Sequence, residues 1–501
     1  MYLYGMKQTV SIEAYREIEA KYHAVLQELE ETVFELEKLK RLIFNKGKER
    51  FVPIEKDPEQ LELFPTEKAA QVEEEETETV PSYTRRKRKK HPGRTKLPEN
   101  IPTKDIRIEP EEDTTGMKLI GEEITEVIDY KPGTLVKIRY IRPKYVREDE
   151  EEGKDNVVIG KLPNRPIPKG IPEAGLLAYL ITSKYVDHLP FYRQIEIFKR
   201  QFGWTIHKSS LNSWFASCCT LLEPLYDALL KVVLQTDYLQ GDESPIKVLD
   251  FLKKGKAHQG YMWVYRNPIN GLALFDYRKG RGMHGPKERL ENFSGLLQCD
   301  GYRVYKSIAQ KRKDLQLVSC LAHIRRKFFE AREHHPELAN HALREIQKLY
   351  KIERQCREAA LTAEQIRQKR KEEAEPIFKD LLKWVATEHA ANLSKGPIGK
   401  ALFYAKNQLP LLAVYLEDGR ILIDNNLIEN AIRPLALGRK NYLFAGSHKA
   451  AQRAAMMYSF FASCKTLGVN PLEWLTDVLQ RIGTYPINKV EELLPHNWVK
   501  Q

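Results

Sequence analysis

Two aspartates occupy informative positions in the apolar segments between residues 236 and 301. Asp242 lies near the end of the first predicted strand, and Asp300 ends the fourth, immediately before Gly301. A charged side chain that closes an apolar strand is costly unless it faces solvent, a partner or a metal ion. If these two strands are neighbours, their carboxylates meet, and a divalent cation such as Mg²⁺ relieves the repulsion. The alternative is that both aspartates only begin turns, which Asp favours.

A third acid, Glu429, lies in the segment DNNLIENAIRPLALGRKNYLFAG. If Asn426 starts a helix, Glu429 takes its third position, where it could simply close a capping box. Arg433 follows one turn later on the same face, and Pro434 is expected to kink or end the helix. The segment then continues with a polar cluster suited to phosphate groups: Arg439, Lys440 and Asn441.

A competing metal site would use the soft ligands Cys299, Cys320 and His323. They lack the CxxC spacing of zinc sites, and buried cysteines on core strands are the commoner explanation. We therefore expect no zinc. The basic residues after His323 fit either DNA contact or a solvated helix face: Arg325, Arg326 and Lys327.

Short strands are predicted to hold the two aspartates. The segments YLQGDES, PIKVLDFL, GYMWVYRN and LALFDYR alternate or run apolar between Gly, Pro and Lys-rich turns. An amphipathic helix at about 285–294 and a further strand, GLLQCDGY, follow. This order predicts a mixed sheet flanked by helices.

The region before the sheet divides into a β-rich module over 104–165 and a helical region over 166–235. Within the helical region, FYRQIEIFKRQ, a short FGWTI break and HKSSLNSWFASC match helix-turn-helix spacing. On that interpretation Lys208 lies near the start of a DNA-reading helix. The alternative is an ordinary helix pair.

The N-terminal residues 1–50 carry an apolar heptad pattern rich in Glu and Lys elsewhere. We predict a coiled coil that joins copies of the chain; the alternative is one long amphipathic helix packed on its own chain. The a positions are Ile18, Val25, Thr32 and Leu39, and the d positions are Tyr22, Leu29, Leu36 and Ile43.

Residues 51–103 are predicted to form a disordered linker with a basic arm. Seven prolines interrupt the range, and an acidic run at 73–78 precedes RRKRKKHPGRTK at 85–96. Such an arm gains counterion-release free energy on DNA without folding, although it could equally be a tether that binds nothing specific. The arm begins with Arg85, Arg86, Lys87 and Arg88.

Composition limits the class of protein. The 501 residues carry 81 Lys and Arg against 69 Asp and Glu, a formal net charge of +12 that favours a polyanionic partner. The apolar runs are too short to span a membrane, and MYLYGMKQTV lacks the features of a secretory signal. The six cysteines do not suit a disulfide scaffold. We expect a soluble, cytoplasmic, multidomain protein.

Several long segments in order resemble transposases of the insertion-sequence 66 family. They are GDESPIKVL, QCDGYRVY, CLAHIRRKF, DNNLIENAIRPLALGRKNYLFAGS and the tail from YSFFASCKTLGVNPLEWL onward. The resemblance implies an α/β, ribonuclease-H-like catalytic domain over 236–455 with an Asp-Asp-Glu triad of Asp242, Asp300 and Glu429. The Arg/Lys/Glu-rich stretch at about 325–420 would then be a helical insertion in which Leu349 and Ile352 serve packing, and 456–501 a helical tail.

The resemblance also implies the chemistry. Two Mg²⁺ ions, replaceable by Mn²⁺, would be bridged by Asp242 and completed by the other two acids for cleavage and transfer of DNA strands. The expected partners are the terminal inverted repeats of a mobile element, target DNA and small accessory proteins, in a bacterial cytoplasm. The rivals are a catalytically inactive coiled-coil regulator and a metal-dependent nuclease that cuts without joining.

The chain departs from the family pattern in two places. Family members usually carry a CxxC zinc module ahead of the helical region, whereas this chain has no cysteine before Cys218. The 104–165 module is therefore expected to keep its β shape without metal. Asn430 stands directly after the predicted catalytic Glu, where Arg is common in the family. We expect this to remove one phosphate-facing charge without loss of catalysis.

Overall fold

The computed structural model describes most of the chain from Asn164 to Lys500 and several shorter stretches before it. The described residues fall in two compact units, one within 64–141 and the other in the rest of the chain. The predicted coiled coil over 1–50 lies outside the described residues, as do Lys87 and Arg88. The described residues are 77–80, 83–86, 133, 135, 138, 140, 144–146, 157–159, 164–168, 170–249, 257–392 and 395–500.

Two short antiparallel strand pairs precede the helical region. Arg85 and Arg86 lie in the second strand of the first pair. The linker over 51–103 and the β-rich module over 104–165 stay predictions, because most of each range lies outside the described residues. The pairs are β1 (Thr77–Val80) with β2 (Tyr83–Arg86), and β3 (Lys144–Val146) with β4 (Val157–Ile159).

Three helices lead to the sheet: α1 (Ala174–Tyr185), α2 (Phe191–Phe202) and α3 (Lys208–Leu234). α2 ends at Gly203, whose φ of 64° is the left-handed conformation that glycine adopts most easily at a helix C-terminus. α3 is amphipathic, because apolar side chains recur at helical spacing and face the core. The buried positions on α3 include Leu211, Phe215, Cys218, Leu222, Leu225 and Leu229.

A mixed five-stranded sheet lies within the larger unit and confirms the predicted sheet type. Its strand order is β7-β6-β5-β8-β9; the first three strands are antiparallel, while β8 and β9 run parallel to β5. The parallel strands need crossover connections, which contain α4 (His284–Arg289) and α5 (Arg303–Ala309). The strands are β5 (Tyr238–Leu249), β6 (Ala257–Arg266), β7 (Ala273–Arg278), β8 (Gly295–Gln298) and β9 (Leu315–Val318).

The prediction that Asp242 lies near a strand end is wrong, because YLQGDES and PIKVL form one strand of 12 residues. Pro245 does not interrupt β5, because the backbone N–H and C=O groups of odd-numbered β5 residues point away from β6. Pairing with β6 therefore does not need an N–H at position 245. On the edge away from β6, Asp237 O accepts from Leu296 N at 2.8 Å. Farther along it, Lys247 O accepts from Ala445 N, also at 2.8 Å. Proline has no backbone N–H. At position 245 an N–H would have pointed to the edge of β5 beyond its pairing with β8, so proline removes no hydrogen bond between strands there.

The stretch predicted to be a helical insertion, about 325–420, is helical and has its own hydrophobic core, in which Leu349 and Ile352 are buried as expected. We call its elements the helical insertion. A buried ion pair joins two of its helical segments: Arg370 donates from Nε and Nη2 to Glu353 at 2.8 and 2.7 Å. Its elements are α6 (Leu321–Ala331), α7 (Pro336–Glu358), α8 (Ala363–Lys369), a π-helical turn (Arg370–Ala374), α9 (Glu375–Ala391), α10 (Pro397–Leu412) and a 3₁₀ turn (Ala413–Leu416).

The C-terminal helices cover the free edge of the sheet. Ser459 Oγ accepts from Phe275 N at 2.7 Å, and Ser463 Oγ accepts from Ala273 N at 3.0 Å, so edge strand β7 finds partners in a helix. The helix that carries these serines spans position 455, where the catalytic domain was predicted to end and the helical tail to begin. The helices are α11 (Asn426–Tyr442), α12 (His448–Leu467) and α13 (Pro471–Arg481), followed by 3₁₀ turns at Ile482–Thr484 and Ile487–Leu493. No helix in the described ranges is long and apolar enough to cross a membrane.

The buried ion pair gives a testable prediction for the insertion. Glu353→Gln leaves the Arg370 guanidinium buried without its counter-charge, and we expect a loss of about 3–5 kcal/mol in the free energy of unfolding of this region. Denaturant unfolding followed by circular dichroism measures it. The control is Glu364→Gln, which removes an exposed partner of Arg367 and should leave the midpoint unchanged. Equal midpoints for the two variants would contradict the prediction.

Candidate active site

The two aspartates lie where β5 and β8 separate. The strands pair in parallel up to Gln240 and Gln298, and Asp242 and Asp300 follow two residues later on each chain segment. β5 and β8, the first and fourth strands of the sheet in chain order, are therefore neighbours. This is the condition under which the sequence predicted that the two carboxylates would meet. β5 continues straight on past this point, whereas the chain after β8 turns away at Gly301, whose φ is 85°.

Burial and neighbouring charge both act on Asp242. Burial raises the pKa of the Asp242 carboxyl well above its usual range, and the negative charges of Asp300, Glu243 and Glu429 add to the rise. A hydrogen bond from Glu243 N to Asp242 Oδ1 at 2.7 Å opposes it. Three acids from distant parts of the sequence thus share one electrostatic environment, and a cation would relieve their repulsion.

Glu429 enters this environment from the first turn of α11. It does not close a capping box, because no side chain caps the helix, whose N-cap residue is Asn425. The helix begins one residue earlier than the capping-box alternative required, which makes Glu429 the fourth residue instead of the third. Its Oε1 is buried without a hydrogen bond. Pro434 lies inside the helix and does not end it.

Two residues of α6 face the Glu429 carboxylate. His323 Nε2 lies 3.6 Å from Oε1, and Arg326 Nη2 lies 4.0 Å from Oε2. Burial raises the pKa of Glu429, and the Arg326 charge opposes that rise. Burial lowers the pKa of His323, so the imidazole is neutral near pH 7 and offers little counter-charge.

The helical insertion fixes the loop that carries Asp300, a contact that the sequence did not reveal. Tyr404 OH on α10 donates to Asp300 O at 2.5 Å, and Tyr302 N donates to Asp300 Oδ1 at 2.9 Å. A Cβ on Gly301 would meet Gln408 Nε2 at 2.7 Å, so α10 packs directly against the turn. The available signal was the i, i+4 spacing of Tyr404 and Gln408, which puts both on one helix face.

The insertion also holds the turn that starts α11. Tyr350 OH on α7 donates to Asp424 Oδ2 at 3.0 Å, and Asn426 N donates to Asp424 Oδ1 at 3.1 Å. From β5, Gln240 Nε2 donates to Asp424 O at 3.3 Å. The helical insertion therefore holds both the turn that precedes Glu429 and the loop that carries Asp300.

Glu243 follows Asp242 on β5, where strand alternation directs its side chain to the opposite face of the sheet, although its charge still adds to the raised pKa of Asp242. Its Oε1 accepts from Arg281 Nε at 2.9 Å, and the Arg281 guanidinium lies 4.1 Å from the centre of the Tyr302 ring. The Glu243 carboxylate therefore has its own cationic partner, Arg281.

The predicted DNA-binding residues differ in accessibility. Arg325 is buried against Phe329, whereas Arg326 is 40% exposed and faces the acids. Arg439 Nη1 binds the open edge of β5, donating to Ser244 Oγ at 2.9 Å and to Pro245 O at 2.7 Å. The exposed positions are Lys208, at the start of α3, Arg433 and Lys440. Their contacts with DNA stay predictions.

The donor set fits a hard divalent cation only in part. Within the described residues no three His, Cys, Asp or Glu side chains are close enough to form a ready metal cage. The acids do offer oxygen ligands, and the buried Glu429 Oε1 has no hydrogen-bond donor. Mg²⁺ commonly takes one or two carboxylates and completes its shell with water and phosphate oxygens, which suits this arrangement. Cys299 and Cys320 are both buried thiols.

Comparison with known proteins gives a consistent result. The chain matches the model described as "Transposase IS66 family" over residues 169–453, which contain all three acids. It also matches "IS66 C-terminal element" over 459–496 and "Transposase C of IS166 homeodomain" over 32–106.

The chain is similar to three proteins of Sinorhizobium fredii (strain NBRC 101917 / NGR234), each named as uncharacterized. Protein y4hP is 31% identical, covering 92% of this chain and 88% of its own length. Protein y4qI is 34% identical, covering 78% of this chain and 75% of its own length. Protein y4jD is 32% identical, covering 80% of this chain and 81% of its own length.

The raised pKa of Asp242 predicts how the site affects stability. Because the folded-state pKa lies above the unfolded value, stability present at low pH is lost as the pH rises toward the folded-state pKa. Without divalent cations, Asp242→Asn should therefore raise the thermal midpoint at pH 7 by at least about 2 °C and have little effect near pH 3.5. Thermal melts in EDTA at both pH values measure this.

The matched control for that experiment is Asp314→Asn. Asp314 is exposed, and its hydrogen bond with Arg312 lowers its pKa, so this variant should gain no stability at pH 7. A lower midpoint for Asp242→Asn than for the unmodified protein at pH 7 would show that the ionised carboxylate is not under repulsion.

Proposed function

The chain belongs to the IS66 family of transposases, and on that premise we propose that it binds the ends of a mobile insertion sequence and catalyses metal-dependent cleavage and transfer of DNA strands. The proposed catalytic residues are Asp242, Asp300 and Glu429. The match to a homeodomain-type model over 32–106 supports DNA as the partner. Self-association through residues 1–50 and dependence on accessory proteins belong to the same proposal.

The convergence of three acids from separate elements carries this proposal. They are 58 and 129 residues apart in sequence (300 − 242 and 429 − 300). Even so, Asp300 and Glu429 both contribute to the raised pKa of Asp242. Folded proteins seldom retain such repulsion between buried carboxylates without a functional reason. The proposal explains it, because the acids would share bound cations.

We also propose that the sheet is a ribonuclease-H-like core. Three antiparallel strands followed by two parallel ones support this assignment. So does the location of the acids: one lies on the central strand, one follows its parallel neighbour, and one lies on a helix that reaches back to the same point.

The side chains have distinct tasks in this proposal. Two Mg²⁺ ions, or Mn²⁺ in their place, would activate the attacking hydroxyl and stabilise the departing oxygen at the scissile phosphate. Asp242, Asp300 and Glu429 would hold these ions. Arg326 is close enough to Glu429 to meet a phosphate that enters the site. Tyr404 and Tyr350 keep the two flanking acids in register, as positioning residues.

The acids are tested with DNA that carries the element's terminal repeats. Asp242→Asn, Asp300→Asn and Glu429→Gln should each lower cleavage in Mg²⁺ at least about a hundredfold, because each removes a ligand needed at the reacting phosphate. DNA affinity, measured by gel shift, should stay nearly unchanged. Asp314→Asn serves as the control. Full cleavage by Asp242→Asn would refute the assignment.

The same assay separates the rival functions through the products of the unmodified protein. Joined products support a transposase, nicks without joining indicate a nuclease, and DNA binding without any product indicates a regulator.

Tyr404 gives an independent prediction about positioning. Tyr404→Phe removes the hydrogen bond to Asp300 O, and we expect about tenfold slower cleavage and a higher Mg²⁺ concentration for half-maximal activity. The shift in Mg²⁺ dependence separates positioning from simple loss of stability. Tyr485→Phe, which removes an exposed hydroxyl contact with Glu492, is the control. An unchanged Mg²⁺ dependence in Tyr404→Phe would exclude the positioning role.

A further inference from the structure

A cavity of about 300 Å³ lies between α1, α3, β5 and the loop after α11, outside the acid cluster. The β5 residue in its wall is Ile246, which lies on the same sheet face as Asp242 and about 13 Å farther along the strand. The side chains that matter are those of Lys184, Phe215, Phe444 and Arg453.

The Lys184 ammonium is withdrawn from solvent among aromatic rings. It lies 3.9 Å from the centre of the Phe191 ring, 5.1 Å from that of Tyr185 and 5.2 Å from that of Phe215. It makes no ion pair with an acid in the described part of the chain. Burial lowers its pKa to about 8, so it is still mostly protonated at neutral pH. A buried ammonium without an anion is costly, and an incoming anion would offset that cost.

Arg453 on α12 brings a second positive charge to the same cavity, and it too makes no ion pair with a described acid. Lys184 and Arg453 both line the wall of this cavity. The first turn of α12 borders the cavity, where Ser447 Oγ accepts from Ala450 N at 3.1 Å. The remaining N–H groups of this turn of a 20-residue helix add to the positive potential.

An exposed aromatic ring lies at the mouth of the cavity. Phe444 is 43% exposed, and its neighbour Leu443 has a φ of 64°, a left-handed conformation that is costly for leucine. The loop is held there by β5, because Ala445 N donates to Lys247 O at 2.8 Å and Leu249 N donates to Ala445 O at 2.9 Å. A fixed, solvent-facing ring beside two cations is the combination that binds an unstacked base and its phosphate.

We propose that this cavity seats one nucleotide of a DNA strand, with its phosphate held by Lys184 and Arg453 and its base stacked on Phe444. The proposal rests on the proposed function and deepens it. The cavity is larger than a phosphate ion requires, and its apolar walls suit a base. A strand advances by about 3.4 Å per nucleotide when stacked and by more when extended, so a few nucleotides span 13 Å and one strand can occupy the cavity and reach the acids. The cavity would thereby fix the cleavage position.

The test uses the full-length protein and a fluorescent single-stranded decanucleotide that carries one 5-iodouracil. We expect Lys184→Met to weaken binding about tenfold and to reduce the slope of log affinity against log salt by about 0.7, the value for one phosphate contact on a single strand. Phe444→Ala should weaken binding between about fivefold and a hundredfold. Irradiation should crosslink the iodouracil to Phe444 or Tyr442, as mapped by mass spectrometry.

Two controls make the result decisive. Lys449→Met removes an exposed charge on α12 that does not line the cavity, and its affinity should stay within about twofold of the unmodified protein. Phe444 is exposed, so its replacement tests the cavity even where Lys184→Met lowers stability.

Each outcome has one meaning. Unchanged binding in both cavity variants, or competition by inorganic phosphate with no crosslink, would overturn the nucleotide proposal. Asp242→Asn should bind and crosslink normally. If the cavity variants still cleave DNA and bind the oligonucleotide normally, only the nucleotide proposal is refuted. If the unmodified protein gives the crosslink but no cleavage, only the proposed function is refuted.

Discussion

The short parallel pairing between β5 and β8 determines where the two aspartates meet. Because the strands are in register up to Gln240 and Gln298, Asp242 and Asp300 emerge side by side at the point of separation. Burial of Asp242 and Glu429 puts their negative charges in a poorly solvated space, and the charge of Asp300 adds to the repulsion. The rest of the molecule holds this unfavourable arrangement in place, and its repulsion is the reason the site favours a cation.

The surrounding elements each stabilise one part of that arrangement. The helical insertion binds the Asp300 loop through Tyr404 and the start of α11 through Tyr350, and its own shape depends on a buried Arg370–Glu353 pair. α11 and the loop after it cover the edge of β5 that β8 leaves open. α12 covers the opposite edge of the sheet with two serines. An insertion in the sequence is thus part of the structural support of the site.

Several elements could be predicted from local patterns, and the errors have identifiable causes. The mixed sheet and the apolar core positions Leu349 and Ile352 follow from periodicity and composition. The end of the first strand was misplaced because Pro245 usually marks a break, and it is tolerated here only because β8 has already left that edge. The capping-box alternative for Glu429 failed because the helix begins one residue earlier than that alternative required.

The sequence by itself determined which side chains are available: the three acids, the basic residues and the ordered segments that identify the family. These depend on residue type and on neighbours within a few positions, which any chain of this sequence carries. Only the tertiary structure decided that residues 58 and 129 positions apart share one charge environment, that Tyr404 and Tyr350 support it, and that Lys184 lies in a cavity without an anion. Those relations depend on strand register and long-range packing, which local patterns do not specify.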